Sequence, residues 1–129
     1  MDCSKSNSFF TTHFRCFEIH FRINLNITRR SHATVPYSST CRPFELAACG
    51  AAIVSNPHAG IERWFEPGEQ IIVVNDADEA VAAYRGLLDD PGLALRMGES
   101  ARQRVLDEHT YAQRARQLLG YLGLDKAQV

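Results

Sequence analysis

Apolar Phe21, Ile23, Leu25 and Ile27 alternate with polar Arg22, Asn24, Asn26 and Thr28, the two-residue period of a half-buried strand. Residues 1–18 hold neither the helical nor the strand period and read as an irregular start. Residues 29–41 are rich in polar and turn-forming types and read as a loop. Pro43 suits a first helical turn, where its missing N–H would be unpaired anyway, and Gly50 suits the stop, so a short helix lies between them. Ala51 to Ser55 is apolar until its last residue, as expected of a central parallel strand covered on both faces. Asn56 to Gly60 cannot continue it. Ile61 to Phe65 predicts a turn of helix, Glu66 to Glu69 a tight turn, and Gln70 to Val74 a strand rich in β-branched residues.

The remainder reads as helix. Asp76 with Glu79 matches a capping box, followed by Ala77, Ala80, Val81, Tyr84, Leu87 and Leu88 at helical spacing. Asp90 before Pro91 starts a second helix with Leu93, Met97, Ala101 and Val105 on one stripe; Thr110 caps a third carrying Ala115, Leu118, Leu119 and Leu122. Residues 124–129 are a tail. This order predicts an α/β fold: a small parallel sheet, part of a Rossmann-like layer, closed by C-terminal helices. Two or three strands make a narrow sheet whose edges are exposed without further chain.

Composition narrows the function classes. The 129 residues, 45% apolar and 22% charged, fit one modest globular domain. The net charge of −1 conceals a basic front, six Lys or Arg against two acids in residues 1–42, and an acidic remainder. The front's arginines are scattered and form no nucleic-acid-binding motif, so no nucleic-acid partner is expected. Cys3, Cys16, Cys41 and Cys49 lack CxxC spacing, and His13, His20, His32 and His109 share no metal spacing. Cys49 reads as a small buried hydrophobe. Without an apolar leader or a stretch long enough for a membrane helix, the cytoplasm is the expected location.

The candidate chemistry gathers where a helix start meets a strand end. In a parallel α/β sheet that meeting lies at the carboxyl edge of the strands, where ligands bind. Glu45, one turn into its helix, could accept hydrogen bonds from sugar or ribose hydroxyls, or could merely offset the helix dipole. His58, in the loop between Pro57 and Gly60, could touch a phosphate, though a lone loop histidine is more often simply solvated. Trp64 and Phe65 read either as stacking surfaces or as packing against the neighbouring helix. Arg102, Arg104, Arg114 and Arg116 read as a solvated face paired with Glu99, Asp107 and Glu108.

The run from Arg42 to Leu119 orders its features distinctively: FE-x-x-A-x-G on a helix, a strand, a Gly-Ile-Glu loop at 60–62, PGE at 67–69, a strand, an acidic cap and closing helices around HTY at 109–111. It resembles the carboxyl end of a GT-B glycosyltransferase of group 1 type, in particular the spore-maturation-protein-like branch, and INLNITRR at 23–30 is similar to the strand entering that region. The resemblance covers roughly residues 19–123. It implies an incomplete C-terminal donor domain that binds a nucleotide-diphosphate sugar for transfer to an acceptor whose identity stays open. Carried over by position, Glu45 corresponds to the ribose-binding Glu, and Gly60 and Glu62 to the loop approaching the donor. Arg42, at the mouth of the same helix, is a candidate for the diphosphate, because a planar guanidinium grips phosphate oxygens in bidentate fashion.

Tyr37 stands where many retaining members carry a further Glu eight residues before the helix Glu, so retention is not implied and no catalytic residue is assigned. The acceptor domain and the first donor-domain strands are missing from the resemblance. The expectation is therefore a fragment, inactive by itself and completed by an N-terminal domain or a partner chain. No metal or cofactor is expected, the nucleotide sugar being the substrate. A different class stays open: a non-catalytic interaction module docking onto a partner through its helical tail and exposed sheet edge.

Overall fold

The computed structural model describes residues 23–36 and 39–124. The irregular start at 1–18, Phe21 and Arg22 of the predicted strand, Tyr37 and tail residues 125–129 lie outside the described residues. The chain runs β1 (Ile23–Asn26), α1 (Arg30–Ala33), α2 (Arg42–Ala48), β2 (Ala52–Ser55), a 3₁₀ turn (Ile61–Arg63), β3 (Ile72–Val73), α3 (Ala77–Asp89), α4 (Pro91–Glu108) and α5 (Tyr111–Tyr121). The strands are parallel in the order β1-β2-β3, with Ile23 opposite Ala52, Asn26 opposite Ser55 and Val54 opposite Ile72.

The central strand is the reason for the core. All four residues of β2 are buried, so its alternate side chains feed two apolar clusters. Ile53 joins Leu46 and Ala47 of α2, Phe65, Ile71, and Ala101 and Val105 of α4. Ala52 and Val54 join Val74, Leu87 of α3, and Ala94 and Met97 of α4. The two halves of α4 thus serve opposite faces of the sheet, and the helix crosses near the amino end of β2. There Gly98 lies against the Gly50 carbonyl, and a Cβ on Gly98 would overlap that oxygen. Gly50 itself has φ +74°, the left-handed stop expected after α2.

The caps form locally. Asp76 accepts from the Glu79 N–H (2.8 Å), but the Glu79 carboxylate reaches one residue further back than a capping box requires, to the Asn75 N–H (2.8 Å). Asp90 accepts from Leu93 N–H (2.9 Å) ahead of Pro91, and Thr110 with Gln113 forms a full capping box.

Four expectations change. β1 turns the other way: Asn24, Asn26 and Thr28 are buried, whereas Leu25 is exposed and Ile27 is 71% exposed. Its polar face meets the polar end of β2, where Asn26 donates to Ser55, while Ile23 at its start packs on the second apolar cluster. The loop at 29–41 contains the single turn of α1. β3 is shorter than Gln70 to Val74, because Gln70 accepts from the Glu66 N–H (2.9 Å) and Gly68 N–H donates to Ile71 O (2.8 Å), which commits that stretch to the turn. Of the helical stripes, Val81 and Leu88 on α3, and Ala115, Leu118, Leu119 and Leu122 on or just after α5, are exposed; α5 buries no residue. Ala83 takes up the packing of α3 instead.

Gly98→Ala is expected to destabilise the fold by about 1–3 kcal/mol through overpacking, whereas Gly86→Ala, on α3 with open space around it, should stabilise by roughly 0.5–1 kcal/mol. Urea unfolding followed by circular dichroism measures both; equal midpoints for the two variants would contradict the close approach at Gly98.

Candidate functional site

Parallel strands put their carboxyl ends at one edge of the sheet, and there the chain leaves β1 for α1, enters α2, and leaves β2 for the loop at 56–60. A hollow of about 510 Å³ opens at this edge, lined by Leu25 to Arg29, His32, Thr40 and Arg42. Its ionisable groups are two arginines and a histidine, with no carboxylate among them. A larger hollow of about 570 Å³ lies along α4 and the turn before β3, with Arg96 and Arg104 among Glu99, Asp107 and Glu108. That mixture of charges selects no ligand class, and it lies away from the carboxyl edge.

The rim of the first hollow is held by a polar seam. Asn26 Nδ2 donates to Ser55 Oγ (2.9 Å), and Ser55 Oγ donates to Asn56 O (3.0 Å). One step beyond the strands, the Asn56 carboxamide accepts from Thr28 N–H (2.7 Å) and donates to Thr28 O (3.0 Å). The Ala59 N–H donates to Ala33 O (3.0 Å) at the end of α1.

The four sequence-derived candidates fall into two groups. Arg42 lines the hollow. Glu45 is exposed in the first turn of α2, and Glu62 is exposed on the 3₁₀ turn that Gly60 opens with φ +90°. Neither carboxylate lines the hollow. What joins their segments is aromatic packing: Phe44, next to Glu45, meets the Trp64 ring edge-on at 6.2 Å between centroids and Phe65 at 5.4 Å. Phe65 is buried in the core and Trp64 is half-buried, so both pack against α2.

His58 corrects the solvated reading. It is 7% exposed, stacked beside Trp64 (29° between ring planes, centroids 6.2 Å apart), and neither ring nitrogen has a hydrogen-bond partner among the described residues. Burial pushes its pKa below that of a free imidazole, against opposing contributions from the Asn56 backbone and the Glu62 carboxylate. His109 packs on Phe44 and is lowered likewise, first by burial and then by Arg114, which touches its Nδ1. Cys49 is half-buried, less enclosed than expected. Arg102 pairs with Glu99 (3.3 Å) and Arg104 with Glu108 (3.1 Å), the surface pairing anticipated for α4; Arg114 turns instead to Gln117 and His109.

Sequence reasoning missed Arg29, His32 and Asn56. The available signal for Asn56 was the Asn-Pro step directly after a strand, a frequent turn initiator. Arg29 and His32 gave none, since α1 itself was unforeseen. Among the described residues no group of three or more His, Cys, Asp or Glu is placed to hold a metal ion, and no helix is long and apolar enough to cross a membrane.

The buried imidazoles set a pH dependence. Their folded pKa values lie below the free value of about 6.5, so near and below that pH the unfolded chain binds more protons than the folded chain. Stability is therefore complete above the free-imidazole value and declines as pH falls through it. His58→Phe should reduce the drop in urea midpoint between about pH 7.5 and 5.5, read by circular dichroism; an unchanged drop would show that His58 takes up its proton without leaving the fold.

Comparison with known proteins follows the same architecture. No curated protein matches the sequence. Among solved structures, sucrose-phosphate synthase from Thermosynechococcus elongatus superposes with a TM-score of 0.62 at 22% identity, a likeness of fold. The match covers 81% of this chain and 26% of that one, so the chain spans about a quarter of that structure. The family model described as glycosyl transferase-like matches residues 10–120. With its small parallel sheet and covering helices, the chain belongs to this glycosyl transferase-like family and carries the α/β architecture of a GT-B group 1 glycosyltransferase.

Proposed function

We propose that residues 19–123 supply the donor side of a glycosyl transfer site, binding a nucleotide-diphosphate sugar at the carboxyl edge of the sheet. The observation that carries this reading is the hollow lined by Arg29, His32 and Arg42 without a carboxylate. Guanidinium groups hold diphosphate oxygens through charge-assisted hydrogen bonds. They also favour the charge that builds on the diphosphate as its bond to the sugar C1 breaks and the acceptor oxygen bonds to that carbon. Glu45 would accept from ribose hydroxyls, and the Gly60 backbone, free of a Cβ, would let the donor approach beside Glu62. The acceptor would enter from a wall these residues do not build, supplied by an N-terminal domain or a partner chain in the cytoplasm.

A second reading is favoured by a specific feature. Leu25 on the edge strand and Ile27 just after it are exposed, as are Leu118, Leu119 and Leu122. As an interaction module the chain would dock through these surfaces and bind no nucleotide. Light scattering on the purified chain addresses it: a monomer that binds UDP or GDP counts against docking as its whole role.

Calorimetric titration with UDP and with GDP tests the donor reading. One of the two is expected to bind, with Arg42→Ala and Glu45→Gln each weakening affinity by about tenfold or more, as for loss of a charge-assisted hydrogen bond. Binding of neither nucleotide would refute the assignment. Release of free sugar from the nucleotide sugar is not expected from this chain alone.

A further inference from the structure

The parallel ladder between β1 and β2 ends at Asn26 and Ser55, because the next residue but one on the β2 side is Pro57, which has no N–H to donate. Asn56 replaces the missing rung with its side chain. Its carboxamide offers one acceptor and one donor, and both meet the Thr28 backbone, at 2.7 and 3.0 Å. No shorter or acidic residue reproduces this: a carboxylate accepts twice and sets an oxygen against the Thr28 carbonyl. The pairing is part-buried and adjoins the buried Asn26–Ser55 bond.

The consequence is geometric. On the β1 side of the seam, Thr28 and Arg29 form the wall of the hollow that Arg42 also lines. On the other side, the loop that begins at Asn56 leads to Gly60 and Glu62. The only backbone hydrogen bond between that loop and the α1 segment among those described is Ala59 N–H to Ala33 O. The Asn56 amide pair at the root of the loop and the Ala59–Ala33 bond beyond it are thus the polar ties between the basic wall and the segment that leads to the Gly60–Glu62 turn.

Resting on the donor-binding reading, we propose that Asn56 is a positioning residue for the nucleotide diphosphate: it touches no ligand but holds the Gly60–Glu62 loop in register with the Arg29–Arg42 wall.

The test uses the full chain with Asn56→Ala and the isosteric Asn56→Asp, titrated calorimetrically with UDP and GDP, alongside amide exchange at Thr28 and Ala59 and, as a core reference, at Ala101. Both variants are expected to lose affinity by about tenfold or more, the scale of a displaced binding group. Thr28 and Ala59 should exchange faster in Asn56→Ala while Ala101 keeps its protection. Wild-type affinity in both variants overturns the positioning role and leaves the donor reading standing. Faster exchange at Ala101 to the same degree as at Ala59 overturns it too, making Asn56 a contributor to global stability only. A wild-type chain that binds neither nucleotide overturns the donor reading and this role with it.

Discussion

The fold depends on the complete burial of one four-residue strand. β2 is short, yet it supplies apolar side chains to both clusters, and every helix that buries a residue packs against one of them. A strand covered on both faces needs covering elements on each side. Here one helix contributes to both, by passing the amino end of β2 at a point where Gly98 has no Cβ to hold it off the Gly50 carbonyl. The close approach removes water from Ala51 and Ala52, and with them from the beginning of the strand.

Burial of β2 in turn explains the polar character of the sheet's other end. Ser55 is fully buried, as are Asn26 and Thr28 nearly so, and a buried polar group must find a partner or forfeit its hydration. Asn26 donates to Ser55 Oγ, Ser55 Oγ donates to the Asn56 carbonyl, and the Asn56 carboxamide pairs with the Thr28 backbone. The bond to Ser55 places Asn26 on a buried face of the sheet, and Leu25 and Ile27, at alternate positions, turn outward. Alternation revealed the strand but not its facing. The rule that apolar positions point inward assumes an apolar interior, and at this edge the interior is polar.

The same distinction separates what was legible elsewhere from what was not. The N-caps Asp76, Asp90 and Thr110, the Pro-opened α2, the left-handed Gly50 and the α4 stripe are consequences of a few neighbouring residues, and they formed where the local chemistry placed them. β3 was foreseen as a strand, but its first two positions answer to a side-chain bond from Gln70 that propensity does not encode. The leucines of α5 have helical spacing and bury nothing, since spacing specifies a face and cannot say that another surface meets it. Of the site, Arg42, Glu45, Gly60 and Glu62 were visible as types at a helix start and a loop. That Arg42 belongs to a hollow with Arg29 and His32 depended on α1, whose four residues carry no periodic signal.

Two pairs of contacts bring the site's separated segments into one frame, and they differ in kind. Phe44 against Trp64 joins the first turn of α2 to the 3₁₀ turn by apolar packing, which tolerates small sliding because ring contacts have shallow directional preferences. Asn56 against Thr28 joins the same loop to β1 by two directional hydrogen bonds, which do not. The loop is tied again further on, by Ala59 N–H to Ala33 O and by Ile61 and Phe65, which are buried in the core. The buried His58 lies between these ties, stacked beside Trp64.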